Sequence, residues 1–257
     1  IFGLFAGAVS IFLFGRLFTL VLCEILLVLC VFLPMFLPKL IPDGHGRVKF
    51  FGRILDIVKA FSYIFKSKIT WFFFLAFAAT QGIVSFGVTL TPGFFDEIVR
   101  LPIHRSPLFV LPLVGLGVIL GSIAINFVKI RESFWVSLGL GIIGISGLVL
   151  GLLLKLDLLD SLALILLSGV FTVLVVFGVI VTMTVSRTAI QRRVAHSYQG
   201  TVFGANIMLG SFMAAVASPL SATFEVLIGY TSILIFGGII FLLAAIMIGQ
   251  VGLRWKF

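Results

Sequence analysis

Residues Arg187–Gly204, RTAIQRRVAHSYQGTVFG, form the most polar run between two long apolar stretches, and the fold class is read outward from them. The run carries Arg187, Arg192, Arg193 and His196 and no acid. It then passes through Gly200 into Thr201-Val202-Phe203-Gly204 and directly into another apolar stretch. A short basic segment between two membrane spans is expected on the cytoplasmic side. That assignment sets the side of every other connection in the chain.

The composition requires a membrane to explain it. Of 257 residues, 61% are hydrophobic and 11% charged, and the mean hydropathy is +1.32. Apolar runs of about 20 residues recur, the length that crosses a ~30 Å hydrocarbon core as a helix. The expected class is an all-α polytopic membrane protein. A net charge of +9 could mark a nucleic-acid partner. Here the cations sit in short connections beside apolar spans, so they read as orientation signals and lipid-headgroup contacts, with no nucleic acid expected.

The spans are expected at residues 1–15, Leu17–Pro38, Ile69–Phe94, Leu108–Phe127, Phe134–Leu154, Ser161–Ser186, Val202–Phe224 and Thr231–Gly252. Between the second and third lies a segment of different character, residues 39–68. A Pro-Asp-Gly-His-Gly turn opens it. Beyond that turn, Phe51, Ile54, Leu55, Val58, Phe61, Ile64 and Phe65 recur at helical spacing, with cations mostly elsewhere. This predicts an amphipathic helix in the headgroup plane, linking two halves. The domain expectation is therefore 1–38, 39–68 and 69–257. The chain opens on Ile-Phe-Gly inside an apolar run, which suggests a piece of a longer protein.

Counting cations tests the sidedness. With 187–200 inside, the segments 39–68, 129–132 and the C-terminal tail are inside too, and the four together hold 14 of the 18 Lys and Arg. The other side has Arg16, Arg100, Arg105 and Lys155. That asymmetry predicts a multi-pass protein of the cell (inner or plasma) membrane with a cytoplasmic C-terminus.

The pattern Gln191-Arg192-x-Val194, then Gly200-x-Val202-Phe203-Gly204 opening a helix, with Pro219 further on, resembles the major facilitator superfamily, most of all its bacterial efflux permeases. Thr201 stands where that family usually has Arg. Its Gly-x-x-x-Asp-Arg-x-Gly-Arg-Arg loop is represented by Gly121, Asn126, Lys129 and Arg131, without the Asp. Its Gly-Pro-x-x-Gly-Gly element is represented by Gly3-Leu4-Phe5-Ala6-Gly7, without the Pro. The family is built from two parallel repeats of six helices. The resemblance implies that 69–257 is the C-terminal six-helix bundle and 1–38 the last helices of the N-terminal half, the rest of which would be missing. It also implies a secondary transporter that exports small amphiphilic or hydrophobic compounds by alternating access, with lipid, a small-molecule substrate and protons as partners. The alternative is a non-transporting or lipid-handling membrane protein.

Polar side chains inside spans are the candidate site, because lipid penalises them unless they face a cavity or each other. Gln81, Ser85 and Thr89 recur every four residues on one helical face. Gln81 lies about 18 Å into its span. With Ser168, Thr172 and Asn206 these residues form the expected substrate pathway, facing the other half. Glu24, the one acid inside a predicted span, is the candidate for ion coupling. Asn126, Lys129, Arg131, Gln191, Arg192, Arg193, Gly200 and Gly204 are the expected cytoplasmic loop and gate. Cys23 and Cys30 read as small core residues. His45, His104 and His196 are all in connections. With no metal, nucleotide or triad motif in the sequence, neither an enzyme nor a cofactor is expected.

Overall fold

The structure, a computed structural model, describes residues 64–65, 67–102, 106–127 and 131–254, and positions 18, 21–22, 24–26, 28–29 and 32. All regular structure among the described residues is helical. The chain divides into two compact units, Ile1–Arg53 and Ile54–Phe257. The division falls inside the segment expected to link two halves. In the first unit the described positions between 18 and 32 are helical, and Glu24 is exposed on that helix. The amphipathic helix expected before Ile64, the two cysteines, His45, His104 and Lys129 lie outside the described residues.

The second unit is a helical bundle. Helix α1 is Lys68–Gly93, followed by a π-helical turn, Phe94–Ile98. Helix α2 is Ser106–Phe127, α3 is Glu132–Lys155 and α4 is Ser161–Arg193. The last helical stretch, His196–Arg254, is broken at Gly229, where φ 73° and ψ 162° belong to a region open almost only to glycine. It is treated as α5 (196–228) and α6 (230–254). Among the described residues, five helices are long and apolar enough to cross a membrane, the broken one counted once.

Local chemistry sets several of the ends. The Ser67 hydroxyl accepts the Thr70 N–H at 3.3 Å and caps α1. Pro92 has no N–H to give to the turn before it. Just beyond it the backbone ladder widens by one residue, and the Val99 N–H donates to the Phe94 carbonyl at 3.2 Å. Asp157 ends α3 in the left-handed region, φ 51°, which short polar side chains tolerate.

Contacts between helices give their directions. Moving up α1, Gln81 lies against Gly210, Ser85 bonds Ala214 and Thr89 bonds Ser218, so α1 and α5 run parallel. Gly169 meets Phe109 and Leu113, while Gly121 meets Phe177 and Ile180, so α2 and α4 are parallel. Helix α4 opposes both α1 and α3: Arg193 lies over Phe73 and against Glu132, while Met183 meets Gln81 and Gly178 meets Gly139. Helix α6 opposes α3, with Ala245 beside Ser137 and Ile235 beside Gly151. The six helices therefore alternate in direction, and Gly229 is the point of reversal between α5 and α6.

Two kinds of packing hold the bundle. Around α3 the backbones nearly touch. A Cβ on Gly139 would sit 2.7 Å from the Gly178 carbonyl, and one on Gly144 would sit 2.8 Å from the Gly238 carbonyl. Small residues permit such approach and drive helix association where hydrophobic exclusion cannot. Gly141, expected to be part of this stripe, is looser, its nearest neighbour being the Ala245 Cβ at an ordinary 3.7 Å. Between α1 and α5 the contacts are side-chain hydrogen bonds. The buried core gathers Phe73, Phe74, Val136, Val181, Ile190 and Val202 toward the end where α1 begins.

Candidate functional site

Polar residues of α4 and α5 lie on the faces that these helices turn toward α1. On α5, Gly210, Ala214 and Ser218 all touch α1. Asn206 is one turn earlier on that same face and is 0% exposed. Neither its carboxamide oxygen nor its nitrogen has a hydrogen-bond partner. On α4, Met183 and Arg193 touch α1, and Ser186 lies between them at helical spacing. Ser186 is also fully buried, and its hydroxyl is also unpartnered. Gln81 of α1 lies across the notch at Gly210. The hydrogen-bond partner of its amide is the Met183 thioether, 3.9 Å away and a weak acceptor. Buried polar groups are nearly always paired, so two orphaned side chains and a third weakly held are unusual.

The other expected pathway residues are placed differently. Ser85 donates to the Ala214 carbonyl at 3.0 Å, and Thr89 pairs with Ser218 at 2.9 Å. Both are half-buried in the α1–α5 seam. Ser168 and Thr172 bond carbonyls of their own helix, those of Leu164 and Ser168. They sit beside Gly169 and Val173, on the part of α4 that packs against α2. Ser168 is roughly 22 Å along α4 from Met183 at ~1.5 Å per residue. The structure does not bring this pair to Gln81. Glu24 is in the other unit.

The segment Arg187–Gly204 differs from its expected form. It is not a loop: α4 continues to Arg193 and α5 begins at His196, leaving a turn at Val194–Ala195. No Gly or Pro interrupts 187–193, and a helix of about 50 Å simply outruns a ~30 Å core. Hydropathy reports where lipid contact ends, not where the helix does. Gln191, Arg192 and Arg193 are therefore helical, and so are Gly200 and Gly204, both exposed with no heavy atom within 4 Å of a built Cβ. Gln199 closes the turn by donating to the Gln191 and Val194 carbonyls at 3.0 and 3.4 Å and pairing with His196 at 3.2 Å. It satisfies carbonyls that the helix end leaves open.

Three helices are clasped at this end. The Arg193 guanidinium reaches Glu132 of α3 at 2.5 Å, bonds the Ala189 carbonyl and lies 5.0 Å over the Phe73 ring of α1. Arg192 adds a longer contact to Glu132, 3.5 Å. Arg187 lies over Phe203. Arg131 caps α3 with its carbonyl, and Asn126 bonds the Ser122 carbonyl on the last turns of α2. Glu132, unnoticed in the sequence, is the acid that organises these cations.

Among residues whose side chains are described, charge in the bundle is confined to the helix ends. Lys68, Arg131, Arg187, Arg192, Arg193 and Glu132 are at one end, which is basic. Asp96, Glu97, Asp157, Asp160 and Glu225 are at the other with Arg100 and Lys155, and that end is acidic. There the Tyr230 hydroxyl donates to Glu225 at 2.5 Å and lies against Gly93.

No protein-family model matches this chain, and neither a curated protein nor a solved structure matches it.

Proposed function

We propose that this chain is one half, with the end of the other, of a multi-pass secondary transporter of the major facilitator type, exporting small amphiphilic or hydrophobic compounds. The carrying observation is the pairing of six helices alternating in direction with uncharged polar side chains inside the bundle: Gln81 midway along α1, and Ser186 and Asn206 nearer its basic end. A transporter must hold cargo near mid-membrane between repeats that move past each other. Uncharged hydrogen-bonding groups can do so without the cost of placing charge there. The basic end, in this reading, faces the cytoplasm.

The test is efflux by the intact protein from cells preloaded with an uncharged fluorescent amphiphile. Gln81→Leu is expected to slow efflux several-fold at unchanged membrane abundance. Normal efflux by this variant across a broad panel of compounds would overturn the assignment of Gln81.

A specific observation favours a second reading, a non-transporting or lipid-handling membrane protein. Ser85 and Thr89 spend their hydroxyls joining α1 to α5, which is packing chemistry. In that case neither Gln81→Leu nor deletion of the protein changes accumulation of any compound.

A further inference from the structure

This inference rests on the transporter reading and narrows its cargo. Together with α1, the faces of α4 and α5 turned toward it carry two carboxamides and one hydroxyl whose hydrogen-bonding capacity is largely unused. Asn206 has no partner at either polar atom, Ser186 has none, and Gln81 has a thioether. A carboxamide both donates and accepts, and so does a hydroxyl. Leaving such groups dry and unpaired costs roughly 1–3 kcal/mol each, and a leucine at either amide position would avoid that cost. Arg187, next to Ser186 in the chain and lying over Phe203, is the nearest described charge, and no described acid lies on this stretch of α1, α4 or α5.

We propose that Asn206, with Ser186 and Gln81, binds the uncharged head group of a compound that both donates and accepts hydrogen bonds, an amide or alcohol on an apolar body. A cation finds no counter-charge there, only Arg187, and would be desolvated without compensation. Discrimination against compounds lacking the head group follows from the same orphaned atoms, which stay unpaired when such a compound binds.

Asn206 and Ser186 are closed off in this structure, at 0% exposure. The seam that must part is the weaker one. Helices α1 and α5 are joined through Ser85, Thr89 and a glutamine lying over Gly210, and interhelical hydrogen bonds in membranes average only ~0.6 kcal/mol. The α3 seams instead press glycine backbone on glycine backbone. Opening along α1–α5 exposes Asn206 without dismantling the rest.

The experiment uses the intact protein in lipid nanodiscs and four probes that share one apolar body: 2-naphthamide, 2-methylnaphthalene, 2-naphthylmethylammonium and 2-naphthoate. Binding is measured by titration, and efflux in proteoliposomes. Naphthamide is expected to bind at least tenfold more tightly than the ammonium, and more tightly than naphthoate. Asn206→Leu is expected to weaken naphthamide about tenfold while leaving methylnaphthalene unchanged. If Asn206→Leu does not fold, Ser186→Ala and Gln81→Leu are read the same way. Equal binding of the ammonium, or tighter binding of naphthoate than of naphthamide, overturns the inference. So does an Asn206→Leu variant that binds naphthamide normally, which would mean that these groups hold internal water only. Either result, with efflux intact, leaves the transporter reading standing. Binding and efflux of none of the four overturns both.

Discussion

Gly139 and Gly178 approach so closely that each backbone occupies the place of the other's missing side chain. A Cβ on Gly178 would fall 2.5 Å from the Gly139 carbonyl. Since backbone cannot yield as a flexible side chain does, Gly139→Ala is expected to destabilise the bundle by about 1–3 kcal/mol, as overpacking does. Gly87 has nothing within 4 Å of a built Cβ. Gly87→Ala is therefore expected to be neutral or to stabilise by up to ~1 kcal/mol through helix propensity. Unfolding midpoints of the two variants in detergent decide the point. Equal destabilisation would mean that the close seam is not where stability resides. Both residues lie in glycine-rich spans, and spacing alone does not tell them apart.

At the scale of elements, the ends of α1, α3 and α4 depend on one carboxylate. Glu132 holds Arg193, which in turn covers Phe73. The side chains of the pair keep 25% and 28% of their exposure, so solvent screening reduces what the pair is worth. Glu132→Gln is expected to cost about 1 kcal/mol, the upper end for a partly exposed ion pair. A double-mutant cycle with Arg193→Met should return a coupling of about 1 kcal/mol. Arg192 is 72% exposed, and its removal should change little. A cycle showing no coupling to Arg193 would reduce the clasp to a surface contact. The α1–α5 seam is the counterpart: hydroxyls at Ser85 and Thr89 make it a joint that can be taken apart.

For the whole molecule, the charge asymmetry and the alternating helices make one prediction about sides. The turn at Val194–Ala195 and the turn at Asp157 lie at opposite ends of the bundle. After replacement of Cys23 and Cys30, Asp157→Cys in intact cells is expected to react with an impermeant thiol reagent. His196→Cys is expected to react only once the membrane is opened. The reverse pattern would invert the orientation, and labelling of both in intact cells would exclude a spanning bundle.

The helical class was legible in the sequence alone. Runs of about 20 apolar residues allow little but helices, and the breaks between them marked all six helices of the bundle, the reversal near Gly229 included. It also picked out Gln81 and Asn206, because polar side chains are conspicuous in an apolar run. It could not say which polar groups are satisfied. Ser85 and Thr89 share a face with Gln81, yet their partners are on α5, some 129 residues away. Ser168 and Thr172 satisfy the same criterion of composition and lie at a different depth of α4. Ser186 passed unnoticed beside Arg187, at the edge of a span where a hydroxyl looks ordinary. Where α4 ends, and that Glu132 gathers its arginines, likewise followed only from packing. Helical periodicity is a local property written along the chain, whereas the pairing of a buried hydrogen bond depends on which helices become neighbours.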